Sequence, residues 1–109
     1  MQENDKPVLI YSTFPSAEAA ESVGRQLVEE RLAACVNILA PMTSVYRWEG
    51  KIARDSEAVM IIKTRSSLAE AAMEFVKARH TYTNPALLLI PVEGGAAQYL
   101  AWLMQETAQ

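Results

Sequence analysis

Cys35-Val36-Asn37-Ile38-Leu39-Ala40-Pro41-Met42-Thr43-Ser44-Val45-Tyr46-Arg47-Trp48 is followed, across Glu49-Gly50-Lys51, by a run ending in Ala58-Val59-Met60-Ile61-Ile62-Lys63-Thr64. The first run is rich in β-branched, aromatic and other apolar residues. The second closes on consecutive apolar positions, the pattern of a strand buried on both faces. Gly50 supplies the positive φ that a tight connection needs. The stretch Cys35 to Thr64 therefore predicts one long β-hairpin, with arms of roughly 40 Å, about twice an ordinary strand. A chain of 109 residues has no sheet wide enough to cover it. The tip, with Tyr46 and Trp48, is expected to pair with another chain rather than stand in water.

Upstream of the hairpin, Pro7 to Thr13 predicts a first strand whose continuous apolar centre marks it as central. Pro15-Ser16 ends it, and Ser16 suits an N-cap with Glu18 in the first turn. Ala20, Val23, Leu27 and Val28 recur at helical spacing, so a helix is expected from Ala17 to about Ala33, with Gly24 allowing close approach to the sheet. Downstream, Ser67-Leu68-Ala69-Glu70 matches a capping box. It opens a second helix with Leu68, Ala72, Phe75 and Val76 as its buried stripe, ending near Arg79-His80. Ala86 to Ile90 reads as a strand bracketed by Pro85 and Pro91. After Gly94-Gly95, a final helix is expected from Ala96 to Glu106, with Tyr99, Trp102 and Leu103 on one side. Proline in a sheet is confined to edges and bulges, so Pro41 and the pair at 85 and 91 make the second and fourth strands edges. The order β-α-β-β-α-β with an added C-terminal helix predicts an α+β, ferredoxin-like sandwich, with two helices on one face of an antiparallel sheet.

The length suits one domain over residues 1–109, with residues 1–6 as a flexible N-terminal tail. Net charge is −3 and the pI is near 5.1, which argues against a nucleic-acid or anionic-membrane surface, since both need a basic footprint. No apolar run approaches the roughly 20 residues of a membrane span. The polar, acidic start Met1-Gln2-Glu3-Asn4-Asp5-Lys6 is unlike a secretory signal. One cysteine, Cys35, leaves no intramolecular disulfide and no second thiol for zinc. A cytoplasmic setting is the expectation.

Several segments resemble the CutA divalent-cation tolerance proteins. They are Leu27-Val28-Glu29-Glu30-Arg31-Leu32-Ala33-Ala34-Cys35-Val36-Asn37-Ile38, Tyr46-Arg47-Trp48-Glu49-Gly50-Lys51-Ile52, Ile61-Ile62-Lys63-Thr64, His80-x-Tyr82, and Tyr99-Leu100-x-Trp102-Leu103. The resemblance runs from about Val8 to Leu103. It implies a ferredoxin-like fold, a homotrimer similar to the P-II signalling proteins with ligand clefts between subunits, and metal tolerance with copper binding proposed. The sequence departs from the family pattern in one region. Where members usually read His-Pro-Tyr-Glu/Gln, one variable residue and Pro-Glu, this chain has His80-Thr81-Tyr82-Thr83-Asn84-Pro85-Ala86. Ser12 and Arg79 stand where some metal-binding members carry a cysteine and a second histidine. Of that implied ligand set only His80 remains, and one imidazole does not make a metal site.

Each candidate has a plainer reading beside the functional one. His80, the only histidine, suits either a metal ligand or a side chain settled against a helix C-terminus. Cys35 suits core packing better than metal or redox chemistry. Trp48 and Tyr46 are interface anchors or the wall of a cleft, to which Tyr82 also belongs. Aromatic residues for stacking RNA bases are absent from Val59-Met60-Ile61-Ile62, and no phosphate cradle, Cys-x-x-Cys or Ser/His/Asp set is legible. The sequence thus points to a non-enzymatic homotrimer binding a metal ion such as copper, weakly, or a small-molecule ligand at inter-subunit clefts. The alternative is a scaffold or signalling trimer acting through protein contacts.

Overall fold

In a computed structural model, which describes residues 4–109, the hairpin is present at full length. Strand β1 spans Pro7–Phe14, β2 Cys35–Trp48, β3 Lys51–Arg65 and β4 Leu87–Pro91. Helix α1 (Ala17–Glu29) links β1 to β2, α2 (Ala69–Arg79) links β3 to β4, and α3 (Ala97–Glu106) follows β4. The four strands form one antiparallel sheet in the order β2-β3-β1-β4. Strands β2, interrupted by Pro41, and β4, bracketed by Pro85 and Pro91, are the edges.

Trp48 pairs with Lys51, so the turn is Glu49-Gly50, with φ of 50° and 78°. Positive φ at both central residues gives the twist that matches two antiparallel strands. At Pro41 the ladder slips, with an irregularity between Leu39 and Met42, as a residue without an N–H demands. Strand β1 accompanies β3 only from Arg65 to Ala58. From Glu57 to Lys51, β3 pairs with β2 alone, a two-stranded ribbon. Val45 and Ile52 near its end are 66% and 65% exposed.

One face of the sheet presents Val8, Ile10, Phe14, Ala58, Met60 and Ile62 to Ala20, Val23 and Leu27 of α1 and to Ala69, Ala72 and Val76 of α2. Gly24 lets α1 sit close: a Cβ there would lie 2.7 Å from Val36 Cγ2 and 3.0 Å from Met60 Sδ. On the opposite face, Lys63 Nζ donates to Tyr99 Oη at 2.9 Å. Arg65 Nε donates to Thr107 Oγ1, also at 2.9 Å, so α3 is fastened there.

Two helix boundaries differ from the sequence reading. Helix α1 ends at Glu29, because Arg31 turns left-handed at φ 59°. The N–H groups of Arg31 and Leu32 then bond back to Val28 and Leu27 oxygens, the double closure of a Schellman motif. The capping box does not form. A 3-10 turn, Ser66–Leu68, precedes α2, whose N-cap is Leu68 without a side-chain cap. Ser67 Oγ donates instead to Asp5 Oδ2 at 2.6 Å.

Of the expected tail at residues 1–6, Met1 to Glu3 lie outside the described residues. Asp5 is held firmly. Its carboxylate pairs with Arg65 at 3.2 Å and accepts from Ser66 Oγ and the Ser67 N–H at 3.0 and 2.9 Å. Burial alone pushes this carboxyl up. The bonds from Ser67, Ser66 and Arg65 win, and its pKa falls to about 2.

Candidate functional site

Strand alternation puts Tyr46 and Trp48 of β2 and Asp55 and Glu57 of β3 on the same face of the ribbon, given the pairs Tyr46–Ala53 and Ser44–Asp55. The segment leaving α2 crosses beside them. Together with Thr13, Arg47, Tyr82, Thr83, Asn84 and Ala86 they line a cleft of about 500 Å³, within the usual range for a small-molecule site.

The acids in the cleft are met by phenols. Tyr82 Oη donates to Glu57 Oε2 at 2.7 Å, and Tyr46 Oη donates to Asp55 Oδ2. Burial, then the Glu57 bond and the negative charge of Glu57 and Asp55, push the Tyr82 hydroxyl far up. The Asp55 bond raises the Tyr46 hydroxyl as well. Both phenols therefore stay protonated and act as donors at neutral pH.

Trp48 and Tyr82, both read as cleft candidates, are brought together here. His80 is adjacent but turned inward. Its ring stacks on Phe14 at 4.5 Å between centroids and lies 4.6 Å from the Tyr82 ring. Nε2 sits 2.7 Å from the Thr13 main-chain oxygen, and Nδ1 accepts the Tyr82 N–H at 3.1 Å. That pair of bonds sets the proton on Nε2 and occupies the lone pair a metal would use. Ser12 is fully buried, while Arg79 lies over the Phe75 ring and donates to Gln26 Oε1. Among the described residues no three His, Cys, Asp or Glu side chains converge on a metal-sized point. The donor set does not fit a tight copper or zinc site. Asp55 and Glu57, the acidic residues of the cleft, escaped the sequence reading. The signal available was their i, i+2 spacing on one strand.

The sequence from residue 8 to residue 106 matches the CutA1 divalent ion tolerance protein family. The chain belongs to that family. It is 46% identical over 110 residues to the chloroplastic protein CutA of Arabidopsis thaliana, a match covering 98% of this chain and 60% of that protein. To the divalent-cation tolerance protein CutA of Thermus thermophilus it is 42% identical, covering 91% and 96%. Among solved structures, the periplasmic divalent cation tolerance protein CutA from Archaeoglobus fulgidus superposes with a TM-score of 0.91 at 43% identity, covering 94% of this chain and 99% of that one. The chain spans about three-fifths of the plant relative's length.

These CutA relatives overturn the cytoplasmic expectation, since one is named chloroplastic and another periplasmic. A domain with this much core needs no disulfide in any compartment, so a lone cysteine carries no address.

Proposed function

We propose that this CutA family member is a non-enzymatic homotrimer that contributes to divalent-cation tolerance by binding a small ligand in the Tyr46–Trp48–Tyr82 cleft. Copper or another divalent ion is held only weakly. The observation that carries the reading is the cleft itself: three aromatic side chains and two carboxylates around about 500 Å³, supplied by the ribbon and the segment after α2. The trimer is supported by that ribbon. A lone pair of strands is marginal in water, and here it bears Val45, Trp48 and Ile52, each at least half exposed. Strand pairing with neighbouring copies covers such edges. The hairpin would then close the open side of the cleft with a second subunit.

A thermal-shift panel on the intact protein tests this, with CuCl2, ZnCl2, MgCl2, ATP and small amines. A ligand present at a hundred times its Kd stabilises the native state by about 2.7 kcal/mol. At least one compound is expected to raise the melting temperature of the wild type and not of Trp48→Ala. A panel that leaves the wild type unmoved counts against the cleft as a binding site.

A further inference from the structure

The cleft's charge is oriented but not neutralised. Among the described residues the ion pairs are Arg25–Glu21, Arg65–Asp5 and Lys77–Glu74, so neither Asp55 nor Glu57 has a cationic partner. Arg47 lines the same cleft without pairing to either. Each carboxylate takes one tyrosyl hydroxyl on one oxygen, and no described residue donates to the other. A phenol fixes a carboxylate's direction while leaving its charge intact. Successive residues on one face of a strand stand about 7 Å apart, close enough for the N–H groups of one ligand to reach both acids.

We infer that the cleft takes an organic cation carrying N–H donors, a guanidinium or primary ammonium head set between Asp55 and Glu57 and flanked by the rings of Tyr46, Trp48 and Tyr82. This rests on the cleft being the binding site proposed above. Carboxylate oxygens and aromatic rings attract the same head, the first through charge-assisted hydrogen bonds and the second through cation–π contact. A divalent ion on two carboxylates keeps most of its water shell, which holds it off the rings and leaves the aromatic part of the cleft unused. An anion meets two negative charges, and Arg47 follows Tyr46 onto the other face of the ribbon. A neutral ligand leaves the acids uncompensated.

The test uses tryptophan emission of the full chain carrying Trp102→Phe, which leaves Trp48 as the one reporter. The probes are agmatine, with guanidinium and ammonium heads; tetramethylammonium, a cation without N–H; and ATP. Agmatine is expected to change Trp48 emission saturably. Its affinity should drop at least tenfold in Asp55→Asn and in Glu57→Gln, and should weaken steadily with added NaCl. Tetramethylammonium should bind at least tenfold more weakly. The salt series needs no further variant, so a folding defect in either substitution does not remove the test. If ATP or tetramethylammonium matches agmatine, the ligand class is wrong while the cleft stands. If no probe moves Trp48 although the thermal-shift panel finds a compound that stabilises the wild type and not Trp48→Ala, the ligand class is wrong while the cleft stands; if the panel leaves the wild type unmoved as well, the cleft fails with it.

Discussion

His80 Nε2 lies 2.7 Å from the main-chain oxygen of Thr13, so the one histidine ties the end of β1 to the segment that carries Tyr82 into the cleft. The imidazole acts as a bracket. His80→Ala removes two neutral hydrogen bonds, near 1 kcal/mol each, and a stacked contact of similar size. Denaturant unfolding should show a loss of about 2–3 kcal/mol. Calorimetric titration of the wild type with CuCl2 should give micromolar or weaker binding. A nanomolar site would mean that an imidazole nitrogen is free for metal.

Asp5 predicts the acid limb of stability. Its folded pKa of about 2 lies below the ordinary 3.8. A depressed carboxyl stabilises the fold above its unfolded pKa, and that contribution is lost as pH falls through the folded one. The side chain is only 3% exposed, so roughly 2 kcal/mol should disappear between about pH 4 and pH 2. Asp5→Asn should lose a similar amount at pH 7 and flatten that part of the profile. An unchanged acid limb in the variant would contradict the assignment.

Gly24→Ala sets two effects against each other. Alanine gains up to about 1 kcal/mol of helix propensity. The new Cβ, however, would stand 2.7 Å from a β-branched Val36 that has little room to turn. Overpacking of this kind costs about 1–3 kcal/mol. Thermal unfolding is expected to show net destabilisation, and a gain would mean that β2 yields easily.

The sheet was legible because its signals are local. Pro41, Pro85 and Pro91 named the edges, and Ala58 to Ile62 named an inner strand. Gly24 named a close approach. Misreadings arose where a distant partner decides. Ser67 has the spacing of a capping residue, but its hydroxyl is claimed by Asp5, 62 residues away. Helix α1 stops at a left-handed Arg31, where the usual glycine that would announce the end is missing. In the cleft, aromatic Trp48 and Tyr82 stood out, whereas Asp55 and Glu57 look like ordinary polar positions on an exposed strand. Their role follows from the loop that brings Tyr82 across to Glu57, a contact spanning 25 residues. His80 was conspicuous for its chemistry. Which way its ring faces is set by Thr13, 67 residues earlier.

Trp48 probes the ribbon. Its side chain is 51% exposed in the single chain, and the proposed assembly covers it. Trp48→Ala should then cost about 3–5 kcal/mol per subunit, read as a lower melting temperature that depends on protein concentration. An unaltered, concentration-independent melt would place the ring in solvent.

In the proposed assembly the long hairpin joins three chains, and the subunit boundaries carry the cleft. Light scattering coupled to size exclusion, repeated over a hundredfold dilution, measures this directly. The expected mass is three times the 12.1 kDa chain at every concentration. A folded species at the mass of one chain, melting cooperatively by itself, would rule out the trimer.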